Sequence, residues 1–470
     1  MSGDDPTAWT ASHRLMLDRA RHDLGYRPTT LADVASRPIS DVLIVLTGPR
    51  RIGKSVLLLD CAGLLCARVD VDPRQVLHVP CDGMRDRDLR RVLTLGRELT
   101  RSVDSPGQQR RVWLLDEVSA VPGWSAVLKA ARDGSAFGDD TVVATGSRWS
   151  DGQEVVASLL AGRAGTSDAR RVRHLLPMTF RDFLTATRPE LARPVAVHPA
   201  HLQEAGARGE LVRLQFDIDA YDLAWQDYLT CGGFPRAVAE HTRTGGVSEA
   251  YLRDIEAWLR ADVDPDAPLA SVPLLLAGIS QRSTSPLNGT RTAEALGYPS
   301  RAAFDRRLAR LISSFAALPC PQRNDRAALV PGSQSKIYLT DPLLSWLPVR
   351  LRAGLPEPNM TALTEAVLAV ALARAIDELQ EGRWVRGDTI GYSRTNSGGE
   401  VDLSPVPVPD QAGNAVTTPI EAKWVDASWR TSARTIEAKY GRGILATKSI
   451  LDVAHPAWAV PAPLVALLLS

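Results

Sequence analysis

Cysteine is scarce and unpatterned in this chain of 470 residues. Cys61, Cys66, Cys81, Cys231 and Cys320 form no C-x-x-C pair. An odd count without metal spacing argues against a disulfide framework and for reduced thiols in a cytoplasmic protein. An excess of one charge sign is also missing: 55 basic and 54 acidic residues leave a net charge of +1. No global field draws the chain to nucleic acid or membrane, so such a partner must meet a local patch. The opening MSGDDPTAWTASHR is acidic, then polar, without the apolar stretch of a secretory signal. The most apolar run, Ala457 to Leu469, is short and holds Pro461 and Pro463. It cannot span a bilayer, so no membrane partner is expected and the run is read as a buried segment. Tandem repeats and low-complexity tracts are absent as well.

What is present has the composition of an ordinary soluble protein, with 44% hydrophobic and 23% charged residues, and a length that predicts two to four domains. Short apolar runs at 42–47 (VLIVLT), 76–80 (VLHVP), 112–116 (VWLLD), 141–145 (TVVAT) and 172–176 (VRHLL) alternate with helix-like segments. That alternation predicts an α/β domain with a parallel sheet covered on both faces, over about 1–190. Residues 191–285 read as mostly helical, broken by CGGFP at 231–235. Residues 286–350 read as a helix-turn-helix unit ending in a strand, KIYLT. A Pro/Gly-rich linker, RAGLPEPNM, then precedes a helix at 364–379 and a last domain over 360–470.

The first chemistry-bearing stretch is GPRRIGKSV: Gly48, Pro49, Arg50, Arg51, Ile52, Gly53, Lys54, Ser55 and Val56. It satisfies G-x-x-x-x-G-K-[ST], follows a strand and opens a helix, which is the context a phosphate-binding loop requires. The glycines let backbone N–H groups turn toward phosphate oxygens, and the helix N-terminus adds partial positive charge. Lys54 would reach the β- and γ-phosphates of ATP, and Ser55 would ligate Mg²⁺. In VWLLDEV, Asp116 fits a second Mg²⁺ ligand at a strand end, and Glu117 fits the group that polarises the attacking water. In TGSRWS, Thr145 or Ser147 is read either as a γ-phosphate sensor or as a polar strand end. Arg163, in LLAGRAG, is a candidate finger for transition-state charge, or else a solvated or paired side chain.

These pieces, GPRRIGKS, LLDEVSAVPGW, ATGSRWS, LLAGR and LLPMTFRDFL, stand in one order along the chain. In that order they resemble a prokaryotic family of AAA-type ATPases related to the STAND NTPases. The resemblance covers nearly the whole chain. It implies a P-loop NTPase followed by a helical and winged-helix region, and it allows a homo-oligomer. GGFP at 232–235 resembles the family's G-x-P element, which relatives place near the adenine. Arg148-Trp149 departs from the small polar residues the family has there.

The stretch 288–315 reads as helix, turn, helix, with Phe304, Leu308 and Leu311 on one face of the second helix. Arg301, Arg306, Arg307 and Arg310 crowd the remainder, so residues 300–311 are a candidate DNA contact. Use of the module for packing or for regulating the ATPase stands beside that reading.

Toward the end, GGEVDL and PIEAKW read as two strands around a turn. Glu421 and Lys423 lie two apart and share a face. With Asp402 and an early helical Glu365, the order resembles the PD-(D/E)XK fold of restriction endonucleases. In the ATPase family named above, the C-terminal domain of unknown function belongs to that fold. Glu365, Asp402 and Glu421 are the candidate Mg²⁺ ligands, and Asp402, Glu421 and Lys423 the candidate catalytic set. The expectation is an ATP-hydrolysing, DNA-associated protein with a metal-dependent nuclease or a non-cleaving DNA cradle, and the domain combination suggests defence or mobile-element biology. The alternative is a STAND-type regulatory switch whose last domain binds a partner without cutting it.

Overall fold

The computed structural model describes residues 13–36, 40–100, 111–134, 136–147, 159, 161–162, 165, 168–265, 271–395, 399–404, 406–410, 412–424 and 428–470. The chain divides into two compact units, Met1–Leu176 and Pro177–Ser470. That division falls ahead of the boundary near 190 expected from the sequence.

In the first unit, β1 (Val42–Thr47), β2 (Val76–Pro80), β3 (Val112–Asp116), β4 (Thr141–Gly146) and β5 (Val172–His174) form one sheet. Its order is β2-β3-β4-β1-β5 and every pairing is parallel. β1, β3 and β4 are buried at every residue, which is why their sequences are continuous apolar runs rather than alternating ones. Leu43, Val45, Trp113, Leu115, Val142 and Ala144 pack in one core with Leu89 and Leu93 of the helix Asp86–Leu99 and Val127 and Leu128 of the helix Trp124–Asp133. The helix Lys54–Cys66 packs against β2 and β3 and against the short helices Arg14–Ala20 and Ala32–Ser36. β4 lies between β1 and β3, so the strand ends bearing residues 47, 116 and 146 stand side by side.

The second unit contains the helix-turn-helix read from the sequence. Asn288 and Ser300 cap the helices Gly289–Ala295 and Arg301–Ser313 with their side-chain oxygens, as short polar residues do at helix starts. An antiparallel hairpin of β6 (Ala317–Cys320) and β7 (Lys336–Leu339) follows. The helix Met360–Leu379 is buried along nearly its whole length. After it come β8 (Ser393–Arg394), antiparallel to β9 (Glu400–Val401), and a small hairpin of β10 (Val408–Pro409) and β11 (Ala415–Val416). β12 (Ile420–Ala422) runs antiparallel to the chain at Leu403. The helix Trp429–Tyr440 then leads to β13 (Gly443–Thr447), and β12, β13 and β14 (Ala457–Pro461) make a parallel sheet. The apolar run at 457–469 is β14 and the helix Ala462–Leu469, buried at each of those positions. Among the described residues no helix is long and apolar enough to cross a membrane.

GGFP belongs to this second unit. A Cβ on Gly233 would meet the Met178 carbonyl oxygen at 2.3 Å, so only glycine fits there. The Gly233 N–H donates to Asp341 Oδ2 at 2.7 Å, and the Leu343 N–H donates to Oδ1 at 2.9 Å. Complete burial, against those two backbone hydrogen bonds, pushes the Asp341 carboxyl up to about 7 from an ordinary 3.8. The folded state therefore holds this proton more tightly than the unfolded chain. Its contribution to stability is full below the ordinary value and is lost as pH rises through about 7. In Asp341→Asn, which cannot titrate, the fall in unfolding free energy between those values is expected to be shallower by up to about 1.4 kcal/mol per pH unit. Denaturant unfolding at a series of pH values checks this; an unchanged slope would contradict it.

Candidate nucleotide site and carboxylate pocket

Gly53 ends the loop at φ 101, a conformation that favours glycine, and begins the helix Lys54–Cys66 without any side-chain cap. No acidic residue occupies that helix's first turn. Its leading amides are thus left for an anion. Gly48 is required by proximity, since a Cβ there would lie 2.0 Å from the Leu175 carbonyl oxygen. Lys54 is buried, and its Nζ donates to the carbonyls of Gly48 and Pro49, each at 3.0 Å. Burial lowers its pKa, while the charges of Glu117 and Asp116 act the other way. Arg50 and Arg51 are exposed, Ile52 is buried, and Ser55 and Val56 are half-buried in the first turn of the helix.

The acidic side of the site is organised by Thr145. Its hydroxyl donates to Asp116 Oδ1 at 3.0 Å and accepts from the Glu117 N–H at 2.8 Å. Glu117 lies at φ 52, a left-handed conformation that costs a non-glycine residue about 1–3 kcal/mol. Its carboxylate stands 3.5 Å from Lys54 Nζ. Between the two readings of Thr145 and Ser147, the geometry gives Thr145 a positioning contact to both acids. Arg163 and Arg148-Trp149 lie outside the described residues.

A nucleotide fits these residues: a buried ammonium, uncapped helix amides and two carboxylates converge at adjacent strand ends. Ser55 and Asp116 are the side chains that would hold Mg²⁺.

In the second unit, Glu365, Asp402, Glu421 and Lys423 line one cavity of about 800 Å³ with Glu400. The sequence reading missed what lies against these acids. Lys336, at the start of β7 and fully enclosed, donates to Asp402 Oδ1 at 2.7 Å, Glu400 Oε1 at 2.8 Å and Glu365 Oε1 at 3.0 Å. The Tyr338 hydroxyl donates to the same Glu365 oxygen at 2.6 Å. The second Asp402 oxygen accepts the Ala422 N–H at 3.2 Å. Glu421 accepts the Asp402 N–H at 3.0 Å on one oxygen and pairs with Lys423 at 3.0 Å on the other. Burial, with the neighbouring Asp402 charge, pushes Glu365 and Glu421 each up to about 7, against the opposing lysines. Burial works against the Lys336 charge, but Asp402 and Glu365 outweigh it and raise its pKa.

The acids expected to bind Mg²⁺ therefore do converge, but as an ion-pair cluster. Among the described residues no group of three or more His, Cys, Asp or Glu side chains stands where it could hold a metal ion. This arrangement does not fit the divalent ion expected at Glu365, Asp402 and Glu421. One available signal was the spacing of Lys336 and Tyr338, which puts a cation and a hydroxyl on one face of an otherwise apolar strand.

The arginines of 300–311 are mostly engaged inside the unit. Arg307 pairs with Asp264 and lies over the Tyr298 ring at 5.0 Å. Arg310 donates to the Val263 carbonyl at 3.1 Å, and Arg301 pairs with Asp305 at 3.2 Å. Arg306 is exposed.

Comparison with known proteins agrees with the nucleotide site. Residues 40–184 match the family model of the AAA domain. The chain therefore carries a P-loop ATPase domain of the AAA type. An uncharacterized protein of Haemophilus influenzae is 25% identical over 265 residues, 54% of this chain and 56% of that protein. An uncharacterized protein of Methanocaldococcus jannaschii is 30% identical over 148 residues, 31% of this chain and 28% of that protein. The chain thus spans about half or less of these relatives' lengths. Among solved structures, a Walker-type ATPase of Pyrococcus abyssi is similar at a TM-score of 0.38 and 12% identity, over 72% of this chain and 97% of the other. The Holliday junction branch migration motor RuvB of Thermotoga maritima is similar at 0.28 and 15%, over 67% and 92%.

The close approach at Gly48 has a direct consequence. Gly48→Ala is expected to destabilise the first unit by about 1–3 kcal/mol, because the backbone of Leu175 cannot yield as a side chain would. Urea unfolding followed by the fluorescence of Trp113 and Trp124 measures it, and an unchanged midpoint would refute it.

Proposed function

We propose that the chain binds and hydrolyses ATP at the loop 48–56 and the acids Asp116 and Glu117, and that nucleotide state governs binding of a partner by the second unit. The observation that carries the first half is the Thr145 hydroxyl joined to both acids. In this reading Lys54 exchanges the Gly48 and Pro49 carbonyls for phosphate oxygens. The first-turn amides take the remaining charge, and Glu117 accepts a proton from the attacking water. Thr145 holds Glu117 and Asp116 in their relative positions throughout. Mg²⁺, when bound, supplies charge neutralisation at the phosphates. Lys54→Ala is expected to abolish binding of a fluorescent ATP analogue. Glu117→Gln is expected to retain binding and to lower kcat by roughly 100-fold or more. Turnover by Glu117→Gln at the parent rate would remove Glu117 from this role.

For the second unit, the order helix, five short strand segments, helix and parallel strand over 360–447 supports a restriction-endonuclease-like build, and DNA is the first partner we propose. Saturation of Glu365, Asp402 and Glu421 by lysines and amides favours the reading in which this unit binds without cleaving. Incubating the protein with Mg²⁺ or Mn²⁺ and DNA or RNA, with and without ATP, separates the readings. A mobility shift without strand scission is expected. Cleavage that disappears in Lys423→Ala would establish the nuclease instead. A nucleotide-driven change in oligomeric state without DNA binding would point to a STAND-type switch.

A further inference from the structure

Four of the acids that line the second unit's cavity are gathered from three places: Glu365 from the helix Met360–Leu379, Glu400 and Asp402 from β9 and the residue after it, and Glu421 from β12. Carboxylates gathered this closely repel one another unless a cation joins them. In metal-dependent enzymes a divalent ion does so, through oxygen ligands. Here Lys336 bonds three of the four at 2.7, 2.8 and 3.0 Å.

The ammonium has little freedom to leave. It is fully enclosed and does not itself line the cavity. The Tyr392 ring lies 5.8 Å from its Nζ, and Tyr338 holds the Glu365 oxygen that it shares. The fourth acid is paired separately, with Lys423 at 3.0 Å. Without Lys336 these acids would keep only Arg394, paired with Glu400 at 3.2 Å, and Lys423, paired with Glu421, which leaves an excess of oxygen ligands of the kind hard divalent cations favour.

We propose that Lys336 is a resident cation standing in for a divalent metal ion, so that the chain loads no metal at Glu365, Glu400, Asp402 and Glu421, and that removing its ammonium opens a metal site there. This rests on the reading of the second unit as nuclease-like. It adds that the cation joining the acids is built into β7.

Mn²⁺ binding without nucleotide, read by the electron paramagnetic resonance of the free ion, provides the test. The parent and Asp402→Asn are expected to bind Mn²⁺ equally weakly. Lys336→Met is expected to gain one Mn²⁺ at least about ten-fold more tightly than the parent, as a carboxylate set without its cation should. The gain should vanish in Lys336→Met/Asp402→Asn and be absent in Lys336→Arg. A parent site for Mn²⁺ that Asp402→Asn destroys would overturn the proposal while leaving the nuclease-like reading intact. A folded Lys336→Met that gains no Mn²⁺ would overturn it as well, again without touching the nuclease-like reading, which rests on the order of elements over 360–447. Should Lys336→Met fail to fold, the comparison of parent with Asp402→Asn still decides whether the native pocket carries a metal.

Discussion

A buried ammonium is expensive to desolvate unless oxygen atoms surround it, and each unit of this protein is organised around one that meets the condition differently. In the first unit Lys54 rests on two carbonyls of its own loop, with the Glu117 carboxylate nearby. Carbonyls are modest partners for a full charge, so phosphate oxygens compete with them well. In the second unit Lys336 is bonded to three carboxylates. That environment leaves the ammonium nothing to gain by moving. One lysine is poised to exchange partners and the other is fixed, although both are equally hidden from solvent.

The sheet of the first unit explains how acids distant in sequence serve the loop. β4 separates the loop's strand from the strand of Asp116. A side chain at the end of β4 is therefore the natural link between them, and Thr145 occupies that place. Its hydroxyl both donates and accepts, so one residue fixes a side chain and a backbone amide together.

Much of this was legible because it is local. VLIVLT, VWLLD and TVVAT are continuous apolar runs, and strands buried on both faces must be. The loop's glycines and the lysine next to them are contiguous. Asn288 and Ser300 mark their helix starts within three residues. What escaped the sequence involves pairing over distance. Lys336 meets Glu365 and Asp402 across 29 and 66 residues. Arg307 finds Asp264 across 43 residues, so a helix face that reads as a basic patch is partly neutralised by an acid outside it. Composition counts charges, and only the fold shows which of them are already matched.

The placement of the helix Ala462–Leu469 bears on the order in which the chain acquires its structure. Arg181 donates to the Leu467 carbonyl across 286 residues, and the helix packs against the helices Phe180–Thr187, Ile218–Cys231 and Met360–Leu379. The core of the second unit thus lacks one wall until residues 462–469 have emerged from the ribosome. The sheet of the first unit needs nothing beyond residue 174. During synthesis the nucleotide-binding unit can form early, while the early helices of the second unit wait with their apolar faces uncovered, a period in which aggregation competes with folding.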